Sequence, residues 1–209
     1  LIAVLTLSLA AAADLWSAEL AITETKTHWP QFRGPNRDDR SPDKGLLKHW
    51  PEDGPPLLWK AAGVGGGYSS VSVTGGTVFT LGNSGGKTQL VALSDNDGKV
   101  LWKAEIGKQG GNLGCTPTVD GDRVYAIGQE GDLVCVRVAD GEVLWRKNFF
   151  TDFQGKYGGW KFTESPLVDG DKVVCTPGGK DASMVALNKL TGEVIWKCAI
   201  PARDTTAGY

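Results

Sequence analysis

Histidine is almost missing from this chain of 209 residues: there are two, His28 and His49. Everything after them lacks the imidazole base of a Ser-His-Asp set and the histidines of a typical zinc site. Cysteine is scarce as well. Cys115, Cys135, Cys175 and Cys198 stand apart with no C-x-x-C pair, which excludes the usual signature of zinc ribbons and dithiol redox sites. A disulfide is permitted, but the sequence assigns none. Neither sign of charge is in excess, since 22 Lys and Arg against 24 Asp and Glu leave a net charge of −2. Nucleic-acid binders carry a clustered basic surface, so no nucleic-acid partner is expected. The arginines that do cluster, Arg33, Arg37 and Arg40, are interleaved with Asp38, Asp39 and Asp43, the pattern of a solvated or self-paired loop.

Long hydrophobic runs are missing too. The apolar stretch at residues 1–13, which ends in four alanines, falls short of the ~20 residues a membrane-spanning helix needs. It reads as the apolar region and cleavage site of a secretory signal, cut after Ala13, and places the protein in the periplasm or outside the cell. No cysteine follows it, so a lipoprotein anchor is not expected. Residues 14–56 read as an extended N-terminal segment.

What the chain has in quantity is glycine, 29 residues, about twice the ~7% average, and a pattern built on it. Asp97-Gly98-Lys99-Val100-Leu101-Trp102-Lys103 recurs as Asp140-Gly141-Glu142-Val143-Leu144-Trp145-Arg146 and as Thr191-Gly192-Glu193-Val194-Ile195-Trp196-Lys197. A partial copy, Leu57-Leu58-Trp59-Lys60, lies upstream. Successive tryptophans are 43, 43 and 51 residues apart, and fixed periods of roughly 20–50 residues mark repeat architectures. Between tryptophans, four β-branched runs are separated by Asp-Gly and Gly-Gly turns of the kind that close tight hairpins. Nothing after residue 60 sustains a helical period. One unit therefore has the size and plan of a four-stranded antiparallel propeller blade.

A lone sheet of this kind exposes two apolar faces and buries them only by stacking on neighbours. Trp59, Trp102, Trp145 and Trp196, with Gly98, Gly141 and Gly192, are therefore the expected docking contacts between blades. The three complete tryptophans should lie on fourth strands, with Trp196 least protected. Cys135 and Cys198, at small-residue places in the repeat, are expected to be buried.

The unit resembles the pyrroloquinoline-quinone (PQQ) repeat of quinoprotein-type β-propellers, whose docking motif runs alanine, aspartate, threonine-glycine, tryptophan. Ala186, Asn188, Thr191-Gly192 and Trp196 fit it best; the second unit has Cys135 in the alanine place and Arg137 in the aspartate place. Trp29-Pro30-Gln31-Phe32-Arg33-Gly34-Pro35-Asn36-Arg37 is similar to the opening of secreted PQQ-repeat proteins of planctomycete-type bacteria. The resemblance covers residues 29–209 and implies an all-β propeller, with three blades (about 69–106, 115–149 and 164–200) of eight lying in residues 57–209. Residues 57–61 are expected to be the outer strand of the closing blade.

PQQ and calcium are implied by the resemblance alone, since quinoprotein dehydrogenases hold PQQ with adjacent cysteines and this chain has none. The favoured function is an exported, non-catalytic binding or scaffold module, monomeric when complete, like the outer-membrane assembly propellers of Gram-negative bacteria. The alternative is a PQQ-dependent dehydrogenase whose cofactor residues lie largely outside this chain. Connections between blades fall on one rim and carry Tyr68, Asn112, Tyr157 and Trp160, the residues expected to meet a protein or small-molecule partner. The connection into the third blade is the longest, with Phe149, Phe150 and Phe153 beside Gly155, Gly158 and Gly159, and reads as a glycine-hinged loop.

Overall fold

The computed structural model describes residues 27–111, 113–200 and 206–208; the signal-like stretch and Asn112 lie outside the described residues. Three four-stranded antiparallel sheets follow one another along the chain. The first comprises β1 (Ser72–Thr74), β2 (Thr77–Ser84), β3 (Lys87–Ser94) and β4 (Val100–Lys108). In the second are β5 (Thr118–Asp120), β6 (Arg123–Ile127), β7 (Asp132–Arg137) and β8 (Val143–Asn148). The third holds β9 (Leu167–Asp169), β10 (Lys172–Cys175), β11 (Met184–Asn188) and β12 (Val194–Cys198). Strands pair in simple sequence order within every sheet, the meander that defines a blade.

Turn chemistry sets this meander. Ser84 pairs with Lys87 across Gly85-Gly86, whose φ angles are 60° and 78°. Two central residues with positive φ match the right-handed twist of the flanking strands, which few residues other than glycine allow. Each third-to-fourth strand pairing carries a register shift at the same place: Ala92/Leu93, Cys135/Val136 and Ala186/Leu187. At that place Ala92, Cys135 and Ala186 sit opposite Trp102, Trp145 and Trp196. A small residue across the ladder leaves room for an indole, and a bulge beside it adds local twist.

Short first strands β1, β5 and β9 lie side by side while β4 packs on β7, so the three sheets fan out from an axis. One core runs through all of them, with Phe79, Leu90, Ile106, Tyr125, Leu133, Phe149, Phe162 and Leu187 buried together. Cys135 is buried, as the repeat suggested. Cys198 is not: it is exposed, because the outer strand β12 is exposed over all five residues. All four cysteines are free. No helix among the described residues is long and apolar enough to cross a membrane.

Candidate functional site

Three tryptophans make one contact three times. Trp102 Nε1 donates to the Val138 carbonyl at 2.9 Å and Trp145 Nε1 to the Lys189 carbonyl at 3.0 Å. Upstream, Trp59 Nε1 donates to the Asp95 carbonyl at 2.7 Å. In each case the ring lies over the glycine three residues beyond that carbonyl. A β-carbon built on Gly98, Gly141 or Gly192 would stand 2.5, 2.7 or 2.9 Å from the indole of Trp59, Trp102 or Trp145. These glycines also have φ of 68°, 79° and 72°, so the position excludes a side chain twice, by space and by backbone conformation. We expect Gly141→Ala to destabilise the protein by at least about 1 kcal/mol, the left-handed backbone cost alone, measured by urea unfolding.

Trp59 lies outside the described strands but occupies the place where a fourth-strand tryptophan would dock on the first blade. Trp196, the fourth of the set, is 37% exposed and has no hydrogen-bond partner for its indole N–H among the described residues.

The long connection into the third blade differs from the glycine-hinged loop the sequence suggests. Phe149–Phe153 forms a short helix, α1, capped by Asn148, whose Oδ1 accepts from Phe150 N (3.0 Å) and Thr151 N (3.3 Å). Asp152 answers by accepting from Asn148 N at 2.7 Å, a reciprocal arrangement like a capping box. Gln154 ends the helix in the left-handed region at φ 52°. Phe162 is the buried hub beyond it, with the rings of Phe149, Phe150 and Tyr157 at 5.0, 5.2 and 5.3 Å and all near edge-to-face. Lys161 pairs with Glu130 and lies 5.8 Å from the Tyr157 ring. Further bonds from Lys156 N to Pro177 O and from Ala207 N to Lys156 O tie the connection to the third blade and to the chain beyond it. The helical period escapes the sequence because five residues are too few to show it.

This packing divides the four rim residues. Trp160 is 65% exposed and Tyr68 76% exposed, available at the surface. Tyr157 is half-buried in the aromatic cluster, so its ring stabilises the connection. Asn112 lies outside the described residues.

One carboxyl group stands in no recognised ligand spacing in the sequence. Glu164, which opens the approach to β9, is buried. Thr176 N donates to its Oε1 at 2.8 Å and Thr176 Oγ1 to its Oε2 at 2.6 Å. Burial pushes the carboxyl up to about 7, while the Thr176 bonds oppose the shift. The neighbouring thiols of Cys115 and Cys175 are pushed up by burial and then by Glu164 itself. Such thiols are inert packing groups, not nucleophiles. Among the described residues no three His, Cys, Asp or Glu side chains gather as metal ligands. Adjacent cysteines are absent from the sequence and both Glu164 oxygens accept from Thr176, so these residues do not form the PQQ and calcium set that the resemblance implies.

The N-terminal segment proves to be part of the array. Trp29 N donates to Val73 O (2.7 Å) and Val73 N to Trp29 O (2.9 Å), which adds a bridge to the free edge of β1. Val119 N of β5 donates to Pro30 O at 2.7 Å. Arg37 Nη2 donates to Val168 O of β9 at 2.5 Å. The segment therefore touches the middle residue of all three innermost strands. Arg33 is self-paired with Asp39 at 2.7 Å, whereas Arg37 reaches across to the third blade through Nη2. Gly34 lies under the Trp29 ring, which would stand 2.7 Å from a β-carbon built there; this explains the pairing of tryptophan and glycine in this stretch.

Fan-like blades, a repeated indole-on-glycine contact and a segment along the innermost strands together define a β-propeller array. Fold comparison agrees. The quinohemoprotein alcohol dehydrogenase ADHIIG from Pseudomonas putida HK5 matches with a TM-score of 0.50 at 22% identity, over 68% of this chain and 22% of that one. The computationally designed Ika4 protein matches with a TM-score of 0.50 at 13% identity, over 73% and 83%. The family model of the outer membrane protein assembly factor BamB, a PQQ-repeat model, matches residues 7–128 and 91–206. The chain belongs to that PQQ-repeat β-propeller family. BamB of Kangiella koreensis is 30% identical over 140 residues, 62% of this chain and 31% of its own length. BamB of Aliivibrio fischeri is 25% identical over 92 residues, 40% and 23%. The chain thus spans less than a third of the length of these curated relatives.

Proposed function

We propose that this chain belongs to an exported, non-catalytic propeller that serves as a binding scaffold for protein partners in the periplasm, in outer membrane protein assembly. One observation carries the reading: large aromatic surface at Trp160 and Phe150 is held out by a connection fixed by a capped helix and a buried ring cluster. Exposed aromatics on a pre-ordered support lose little freedom on binding and are typical interface anchors. Relatives named as outer membrane assembly factors support the same reading, as does the signal-like apolar stretch at residues 1–13. We propose also that residues 57–61 serve as the outer strand of a closing blade, since Trp59 docks as a fourth-strand tryptophan does.

Trp160→Ala tests the proposal in the full-length protein. A strain lacking the protein should assemble less outer membrane β-barrel protein. Wild type should restore it; Trp160→Ala should fail to, with its melting temperature within about 2 °C of wild type, as for surface substitutions in general. Tyr157→Ala should instead lower the melting temperature. Full restoration by Trp160→Ala would remove the rim from the function. Dye reduction with added PQQ would favour an oxidoreductase.

A further inference from the structure

The N-terminal segment crosses the innermost strands and leaves a cleft of about 600 Å³ between itself and the second and third blades. Arg33, Arg37, Phe32, Ser165 and Pro166 are among its walls. Two features make this cleft more than a gap in packing. Among the described residues that line it, Arg33 and Arg37 are the only ionisable ones, with Asp39 paired to Arg33 from outside the lining. Both arginines also have left-handed backbones, at φ 66° and 59°, a conformation that costs residues with a β-carbon about 1–2 kcal/mol each. Backbone strain of this kind persists where the surrounding structure holds a functional group in place.

The guanidinium groups are oriented as well as gathered. Asp39 accepts from Arg33 Nε at 2.7 Å. Gln31 Oε1 accepts from Arg37 Nε at 3.3 Å while Arg37 Nη2 reaches Val168 O. These bonds use the Nε donor of each arginine and one Nη2 donor of Arg37, and leave the Nη donors of Arg33 and the Nη1 donors of Arg37 without described partners. Phe32 is exposed beside them, and Pro166, itself buried, and half-buried Leu167 line the cleft as its other apolar residues. Guanidinium N–H groups bind oxyanions through paired, charge-assisted hydrogen bonds.

We propose that this cleft is a binding site for a small oxyanion carried on an apolar or aromatic body, with Arg33 and Arg37 holding the head and Phe32 the body. The site lies against the inner strands and the ends of the inter-blade connections, with Gly114, Thr163 and Ser165 but not Trp160 among its lining residues, and does not depend on the function proposed for Trp160.

Isothermal titration of the full-length protein with benzoate, phenyl phosphate and benzyl alcohol tests it. The two anions distinguish a carboxylate from a phosphate head, and the alcohol keeps the body without the charge. At least one anion should bind saturably, with the alcohol about tenfold weaker or more, and the affinity should fall with added salt. Arg33→Asn/Arg37→Asn keeps a residue that tolerates the left-handed region while removing both charges, and should abolish anion binding. Arg33→Asn alone leaves the Arg37 bond to β9 intact and should weaken binding about tenfold, so the proposal stays testable if the double variant fails to fold. Phe32→Ala should weaken benzoate more than inorganic phosphate. Lack of saturable binding by either anion would overturn the site. So would equal binding of the alcohol, or unchanged affinity in Arg33→Asn.

Discussion

Trp145→Ala should cost about 3 kcal/mol of stability, the low end for truncation of a large packed aromatic, because the half-buried indole joins two blades instead of filling one. Its ring covers Gly192, its N–H reaches Lys189 O, and it lies 6.0 Å from the Tyr125 ring. The Lys189 carbonyl keeps a second donor, Tyr125 Oη at 3.1 Å, so the loss reflects packing more than an orphaned acceptor. Gly192→Ala supplies the other half of a double-mutant cycle. In wild type it should cost more than the left-handed strain of about 1 kcal/mol, because the new methyl meets the indole. In the Trp145→Ala background only that strain should remain. Urea unfolding of the four proteins measures the coupling. Additive losses would show that the indole acts within its own blade.

Glu164 should impose a pH dependence on stability of similar size. Its carboxyl ordinarily titrates at 4.5 and is raised by burial to about 7 in the folded chain. Between those values the native state binds the proton more tightly than the unfolded state, so stability falls as pH rises. The contribution is complete below about pH 4.5 and is lost by about pH 7, and a shift of that size corresponds to about 3 kcal/mol. Glu164→Gln keeps a neutral acceptor for Thr176 and should remove this part of the pH profile. The variant should be the more stable protein at pH 8. Unfolding midpoints for both proteins from pH 4 to 8 give a difference curve, and a flat one would mean that the carboxyl ionises in the ordinary range.

Much of the blade was legible because its determinants are local. Gly85-Gly86 fixes a two-residue hairpin wherever it stands, and valine at 134, 136 and 138 marks a strand, although β7 is buried on both faces from Leu133 to Val136. The docking glycines could also be read, since three copies of the same spacing show that a position is used alike. Trp102, Trp145 and Trp196 lie on β4, β8 and β12, and Trp196 is the most exposed of the three.

Less local features were hidden. Nothing in Glu164-Ser165-Pro166 announces a buried carboxyl, because its burial comes from blade-to-blade packing and its hydrogen bonds from Thr176. Cys198 aligns with Ala104, yet one is exposed and the other buried; what decides is the neighbour across the sheet face, which no single repeat encodes. The arginines and aspartates of residues 33–43 read as a solvated or self-paired loop, and Arg33 and Asp39 do pair. The larger role of residues 29–37 depends on Val73, Val119 and Val168, each more than 40 residues in sequence from the residue it bonds, Trp29, Pro30 or Arg37.

By itself the sequence determined the secondary structure of each repeat, the period, and the glycine-tryptophan register, since backbone conformation and side-chain size at fixed spacing act over a few residues. Only the tertiary structure decided which tryptophan meets which glycine, which carboxyl is taken from water, and where the N-terminal segment closes on the blades. Those outcomes depend on surfaces brought together by the fan of sheets, where burial and desolvation are properties of the assembled array.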